Sequence, residues 1–206
     1  MRNRHRGISP ALCAIALAFA GCATTSPPLL LTLPRMDVAM AAPAPPMAPP
    51  RVLAVRRIVM PEYLLARRVR YRADDSTLAE WPDAYWSERI EVAVTRELHD
   101  ALRRHLPGWT LCETSCGERS PAYALEVRWD RMDLVRSERR LDARARLLLW
   151  SDDRPPRLVS AEERAWSIPV DADTPQSHAR AITMLLDRVA TEAARALASQ
   201  SPPARK

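Results

Sequence analysis

"WSERIEVAVTRELHDALRRHLPG", residues 86–108, decides how the rest of the chain is read. Trp86, Ile90, Val94, Leu98, Leu102 and Leu106 fall four apart, and Ala93 and Ala101 fill the three-residue step. That spacing draws one apolar face along a helix, with Glu88, Arg89, Arg96, Arg103 and Arg104 turned away from it. Pro107 and Gly108 stop it, because proline cannot continue the hydrogen-bond ladder and glycine suits the left-handed residue after a helix. Trp86 and Ile90 are expected in the core.

On both sides of this helix the period is that of strands. Val52–Val55 with Ile58 and Val59 reads as a strand ended by Pro61. "VRYRADDSTLAEWP" (69–82) gives a second short strand and a turn at Asp74-Asp75-Ser76. Trp81 and Tyr85, beside Pro82, read as loop residues. After the helix come "WTLCE" (109–113), "YALEVRWDRMDLV" (123–135), "LDARARLLLW" (141–150) and "RLVSAEERAWSI" (157–168), the last following a turn at 152–156. Thr174-Pro175 suits the start of a second helix, as cap and first residue, and Ile182, Leu185, Leu186, Val189, Ala190, Ala193 and Leu197 form its apolar face. Sheet with helices predicts an α+β class: a single mixed domain with two main helices packed on one face of the sheet.

The N-terminus has another character. Arg2, Arg4 and Arg6 precede "ALCAIALAFAGCATT" (11–25), whose apolar run is too short to cross a bilayer. A basic start, a short apolar run and small residues at its end make a secretory signal peptide. Phe19-Ala20-Gly21-Cys22 resembles the bacterial lipobox, at which the cysteine is acylated and the chain cut just before it. Phe19 departs from the usual aliphatic residue. The alternative is a secreted protein with a chance cysteine at its cleavage point. The expected division is a signal peptide over 1–21, a lipidated N-terminus with a short strand and Pro/Ala-rich linker over 22–50, the domain over 51–198, and a frayed tail over 199–206. "LLLTLP" (29–34) either pairs with the main sheet, leaving the prolines of 43–50 as a surface loop, or lies apart, leaving them as a spacer.

The formal charge of +6 includes Arg2, Arg4 and Arg6, so it falls to +3 once they are removed. The basic residues are mixed with Asp and Glu rather than gathered, and an exported location argues against nucleic acid. Cys112 and Cys116 read as a local disulfide in an oxidising compartment, with two free thiols or a redox pair as alternatives. Four glycines in the whole chain exclude a phosphate-cradling loop. His99 and His105, six apart, miss the spacing that would bring two ligands onto one helical face, and His178 stands alone. No catalytic residue, no metal and no cofactor are expected, apart from the covalent lipid on Cys22.

Residues 60–108 carry more than composition. Pro61, Tyr63 and Leu64, then Val69, Tyr71 and Arg72, then Leu78 and Trp81, then Trp86 and Ile90 resemble the pattern of the ABC-type transport auxiliary lipoproteins, the PqiC-like family. The later strands match in hydrophobic pattern, whereas the cysteine turn is outside that pattern. The resemblance implies a domain like the N-terminal domain of TolB. It implies a non-catalytic outer-membrane lipoprotein, lipid-anchored and facing the periplasm. Its partner would be the MCE-domain protein of an inner-membrane ABC transporter that moves phospholipid or other hydrophobic molecules. A homo-oligomer is compatible with it. Pro61, Tyr63, Leu64, Trp81 and Tyr85 are the candidate partner contacts, Trp81 and Tyr85 foremost, since Tyr and Trp suit interfaces. Two other classes stay open: an assembly lipoprotein of another outer-membrane complex, and an enzyme using Cys112 and Cys116.

Overall fold

A computed structural model describes residues 27–36, 51–113, 116–151 and 153–200. Cys22, the signal segment, the prolines of 43–50 and the tail from 201 lie outside the described residues.

Among the described residues eight strands form one mixed sheet, with two helices. The strands are β1 (Leu29–Leu31), β2 (Arg51–Val55), β3 (Arg68–Arg72), β4 (Leu78–Trp86), β5 (Trp109–Cys112), β6 (Tyr123–Val135), β7 (Arg140–Ser151) and β8 (Leu158–Pro169). The helices are α1 (Ile90–His105), between β4 and β5, and α2 (Pro175–Ala198), at the end. A 3-10 turn over Glu62–Leu65 separates β2 from β3.

Strand β6 organises the sheet. Its start pairs with β2 (Leu53 with Tyr123), its end with β3 (Arg72 with Val135), and β7 lines its other side from end to end. From β2 the sheet continues to β5, from β3 to β4 and β1, and from β7 to β8. The alternation along β6 puts Tyr123, Leu125, Val127 and Trp129 in the core, where Leu141, Ala143, Ala145, Leu147 and Leu149 of β7 join them. The register shift between Trp129 and Arg131 restarts the alternation, so Met132 and Leu134 also point inward.

Helix α1 buries the face its spacing predicts, with Ile90, Val94, Leu98, Leu102 and Leu106 in the core and Gly108 at φ +87° after it. It begins at Ile90 rather than Trp86, because Trp86 still pairs with Leu31 as the last residue of β4. Helix α2 starts as expected: the Thr174 hydroxyl accepts a hydrogen bond from the Ser177 backbone N–H at 3.2 Å, and Pro175 is its first residue.

The open alternative for residues 29–34 is decided, and two corrections follow, the first to where the domain starts. β1 is part of the sheet, running parallel to β4, with Leu31 and Leu33 in the core and the Thr183 hydroxyl donating to the Pro34 carbonyl at 3.0 Å. The domain therefore includes residues before 51, and 37–50 joins two strands of one sheet instead of standing the domain off as a spacer. The second correction concerns Trp81 and Tyr85, which lie within β4 and not in a loop. The strand carries a bulge opposite Arg68 and Arg70, with Asp83 at φ +49°, and Pro82 sits inside it. A bulge puts both Trp81 and Ala84 on the core side, three residues apart, where unbroken alternation would separate them.

Candidate partner-contact site

The chain leaves β2, crosses Val59 and Met60, and turns at Pro61 into the 3-10 turn. The turn closes when the Leu64 N–H donates to the Pro61 carbonyl at 3.0 Å. Proline fits there because its φ is preset and its missing donor is not needed. The corner is fastened to the sheet through Tyr63, whose hydroxyl donates to Asp133 Oδ1 at 3.0 Å. Arg72 donates to Asp133 Oδ2 at 3.0 Å, and its guanidinium lies 5.9 Å from the centre of the Tyr63 ring. Arg70 donates to the Tyr63 carbonyl at 3.3 Å. Burial, then the neighbouring Asp133 charge, pushes the Tyr63 phenol up to about 12.

Two of the three corner candidates thus hold the bend. Tyr63 is engaged with β6, and Leu64 packs against the core. What the corner offers to a partner is its apolar rim: Val59 is 50% exposed and Leu65 40% exposed, with Pro61 half-buried between them. Sequence reasoning missed Val59 and Leu65. The signal was there, since two large apolar side chains flank a proline bend, but Val59 reads as strand core until its bridge to Arg128 is seen to place it on the exposed face.

Trp81 is withdrawn from the contact set. It is 6% exposed, and its ring meets Tyr71 edge-on at a centroid distance of 5.4 Å. The Arg136 guanidinium covers it at 4.1 Å and Tyr71 at 4.7 Å. Asp173 accepts from Arg136 twice, at 2.7 and 2.9 Å, and this pairing drives the guanidinium pKa upward. Trp81 is therefore one layer of an aromatic-cation stack joining β4 to the segment ahead of α2. Tyr85 remains accessible: it is half-buried, faces away from the core opposite Leu30 and Arg68, and carries the Arg68 guanidinium 5.0 Å from its ring centre. Leu30, beside it, is 58% exposed. The structure thus gives two separate exposed apolar groups, one at the corner and one at Tyr85 and Leu30.

The remaining candidates carry little chemistry. A disulfide joins Cys112 and Cys116 at the end of β5, with Cα atoms 5.3 Å apart. Among the described residues no group of His, Cys, Asp and Glu is placed to hold a metal ion. His105 meets Asp187 at 3.0 Å, and Arg104 donates to the same carboxylate at 3.1 Å, which fastens α1 to α2. His178, in the first turn of α2, is fully buried beside Trp86, and neither ring nitrogen has a hydrogen-bond partner. It faces a small cavity behind the 3-10 turn, lined also by Leu64, Tyr71, Ile90 and Met132. No helix among the described residues is long and apolar enough to cross a membrane.

Similarity to known proteins fits this architecture. The fold superposes on the crystal structure of an uncharacterised protein with a TM-score of 0.68 at 17% identity, covering 84% of this chain and 99% of that one. It superposes on protein XCC0632 from Xanthomonas campestris, of the DUF330 family, with a TM-score of 0.60 at 17% identity, covering 81% and 90%. At such identity the likeness is one of fold. No curated protein matches the sequence. Residues 32–194 match the family model, a span that begins just after β1 and ends within α2, so the chain belongs to the ABC-type transport auxiliary lipoprotein component family.

Proposed function

We propose that the protein is the lipid-anchored outer-membrane subunit of an ABC transport system and docks an MCE-domain protein that carries phospholipid or another hydrophobic molecule between the membranes. The observation that carries this reading is the family match across residues 32–194. The lipobox-like Phe19-Ala20-Gly21-Cys22 supports the anchor, with acyl chains on Cys22 as the attachment. The exposed rim at Val59 and Leu65, on a corner held by Tyr63, supports a binding role.

A photocrosslinking residue at position 65 or 85, in the native host, tests the reading, with captured proteins identified by mass spectrometry. Capture of an MCE-domain protein from either position is the expected result. Capture of an outer-membrane assembly component from both positions, without an MCE-domain protein, overturns it in favour of an assembly lipoprotein.

A further inference from the structure

Of the two exposed apolar groups, the one at Tyr85 and Leu30 lies on the first strand after Cys22. Among the described strands β1 pairs on one side only, with β4, so it is an edge of the sheet. Pro27, Pro28, Leu29 and Leu30 are all exposed, Leu29 at 37% and Leu30 at 58%. Leu31, next along, is in the core. Successive strand residues point to opposite faces, so Leu29 lies on the side of Leu31 and Leu30 on the other. The start of this edge is therefore apolar on both faces.

From Leu30 a row runs inward across three strands. Tyr85 of β4 pairs with Leu30, and Arg68 of β3 pairs with Tyr85. The order is aliphatic at the rim, aromatic next and cationic last, with the Arg68 guanidinium 5.0 Å from the Tyr85 ring centre. Aliphatic side chains suit acyl chains. Tyr and Arg, apolar in the body and polar at the tip, suit the boundary with the headgroups. Glu80 is taken up by Arg68 and Arg70. Asp83, at the bulge next to Ala84, is exposed. A carboxylate there keeps the edge at headgroup depth, because burying an unpaired charge is costly.

The length of chain ahead of the edge says what can reach it. Pro27 is five residues after Cys22, so an acylated Cys22 holds it within about 18 Å at full stretch. On so short a tether a contact too weak to hold alone becomes intramolecular, at high effective concentration. Interfacial binding then grows with the apolar area laid into the boundary.

We propose that the β1 edge, at Leu29, Leu30 and Tyr85, is a lipid contact that lays this side of the domain on the membrane carrying its anchor, separate from the partner corner at Val59 and Leu65. The proposal rests on acylation of Cys22 and is independent of the partner's identity. The test uses the full acylated chain in vesicles of phosphatidylethanolamine and phosphatidylglycerol. An environment-sensitive fluorophore is placed on Leu30→Cys in one preparation and on Leu65→Cys in another. With Cys112 and Cys116 joined and Cys22 acylated, the new thiol is the one labelled. Emission from position 30 is expected to move to the blue and to be lost to a quencher fixed to the lipid. Emission from position 65 is expected to keep its aqueous value. Mass spectrometry of the N-terminal peptide separates the two readings. An acylated chain whose position 30 stays aqueous, or is quenched no more than position 65, overturns the lipid contact and leaves the anchor standing. A chain without acyl groups on Cys22 overturns both. A probe at position 30 that is shielded in the Cys22→Ala chain without vesicles also overturns the contact, because protein and not lipid then covers the edge.

Discussion

At the scale of single residues, two aromatic side chains four positions apart in one strand have opposite roles. Trp81 lies in the core under Arg136, whereas Tyr85 faces out beside Leu30. Trp81→Ala should cost about 3–5 kcal/mol, the usual range for deleting a large buried ring. Tyr85→Ala should cost under about 1 kcal/mol, most of it the Arg68 contact. Denaturant midpoints on the two variants check the difference. Equal losses would place Tyr85 in the core as well. His178 gives a pH dependence. Burial alone lowers its pKa to about 4, against an ordinary 6.5. Between those values the unfolded chain binds a proton that the folded one refuses, so stability is full above about pH 6.5 and falls as the pH drops towards 4. His178→Phe keeps an aromatic ring beside Trp86 and removes the titration. Wild type should lose about 3 kcal/mol more than this variant between pH 7 and pH 4, read from unfolding curves at the two pH values.

At the scale of elements, β1 shows how much three residues can matter. It covers the side of β4 where Trp86 pairs, and Leu31 and Leu33 fill core positions there. A chain beginning at residue 51 should therefore melt well below one beginning at residue 27, and thermal melts of the two will show it. Equal melting temperatures would mean that the first strand is decoration. This is also where reading the sequence reached its limit. α1, β6, β7 and the capped start of α2 were legible, because each shows its own period and its own stop signals. The pairing of β1 with β4 was not, since nothing within "LLLTLP" says which distant strand it meets. Trp81 and Tyr85 read as loop residues in the sequence, because Pro82 and Asp83 look like turn residues and the bulge that accommodates them breaks the alternation around Trp81. Of the candidate contacts, the corner at Pro61 was visible as a bend, but its exposed residues depend on the bridge between Val59 and Arg128 and on the Tyr63–Asp133 bond, each about seventy residues away in sequence.

At the scale of the whole molecule, fold and attachment are separate properties. Among the described residues every core residue lies after residue 30, and Cys22 precedes them all in sequence. Cys22→Ala should leave the melting temperature of the domain unchanged. It should abolish palmitate labelling and move the protein out of the membrane fraction. Labelling equal to wild type would exclude Cys22 as the acylated residue. The position of β1 then sets a distance. Between Cys22 and Leu29 there are six residues, so with Cys22 acylated the leash is only about 25 Å at full stretch. The proline-rich stretch adds nothing to it, because it comes after the first strand is already locked into the sheet. Held so closely by an acylated Cys22, the domain would sweep only a thin shell at the membrane that carries the anchor. On the docking reading proposed above, a partner reaching from the opposite membrane would have to supply the length itself and arrive at the domain, which would wait at the surface like a mooring post.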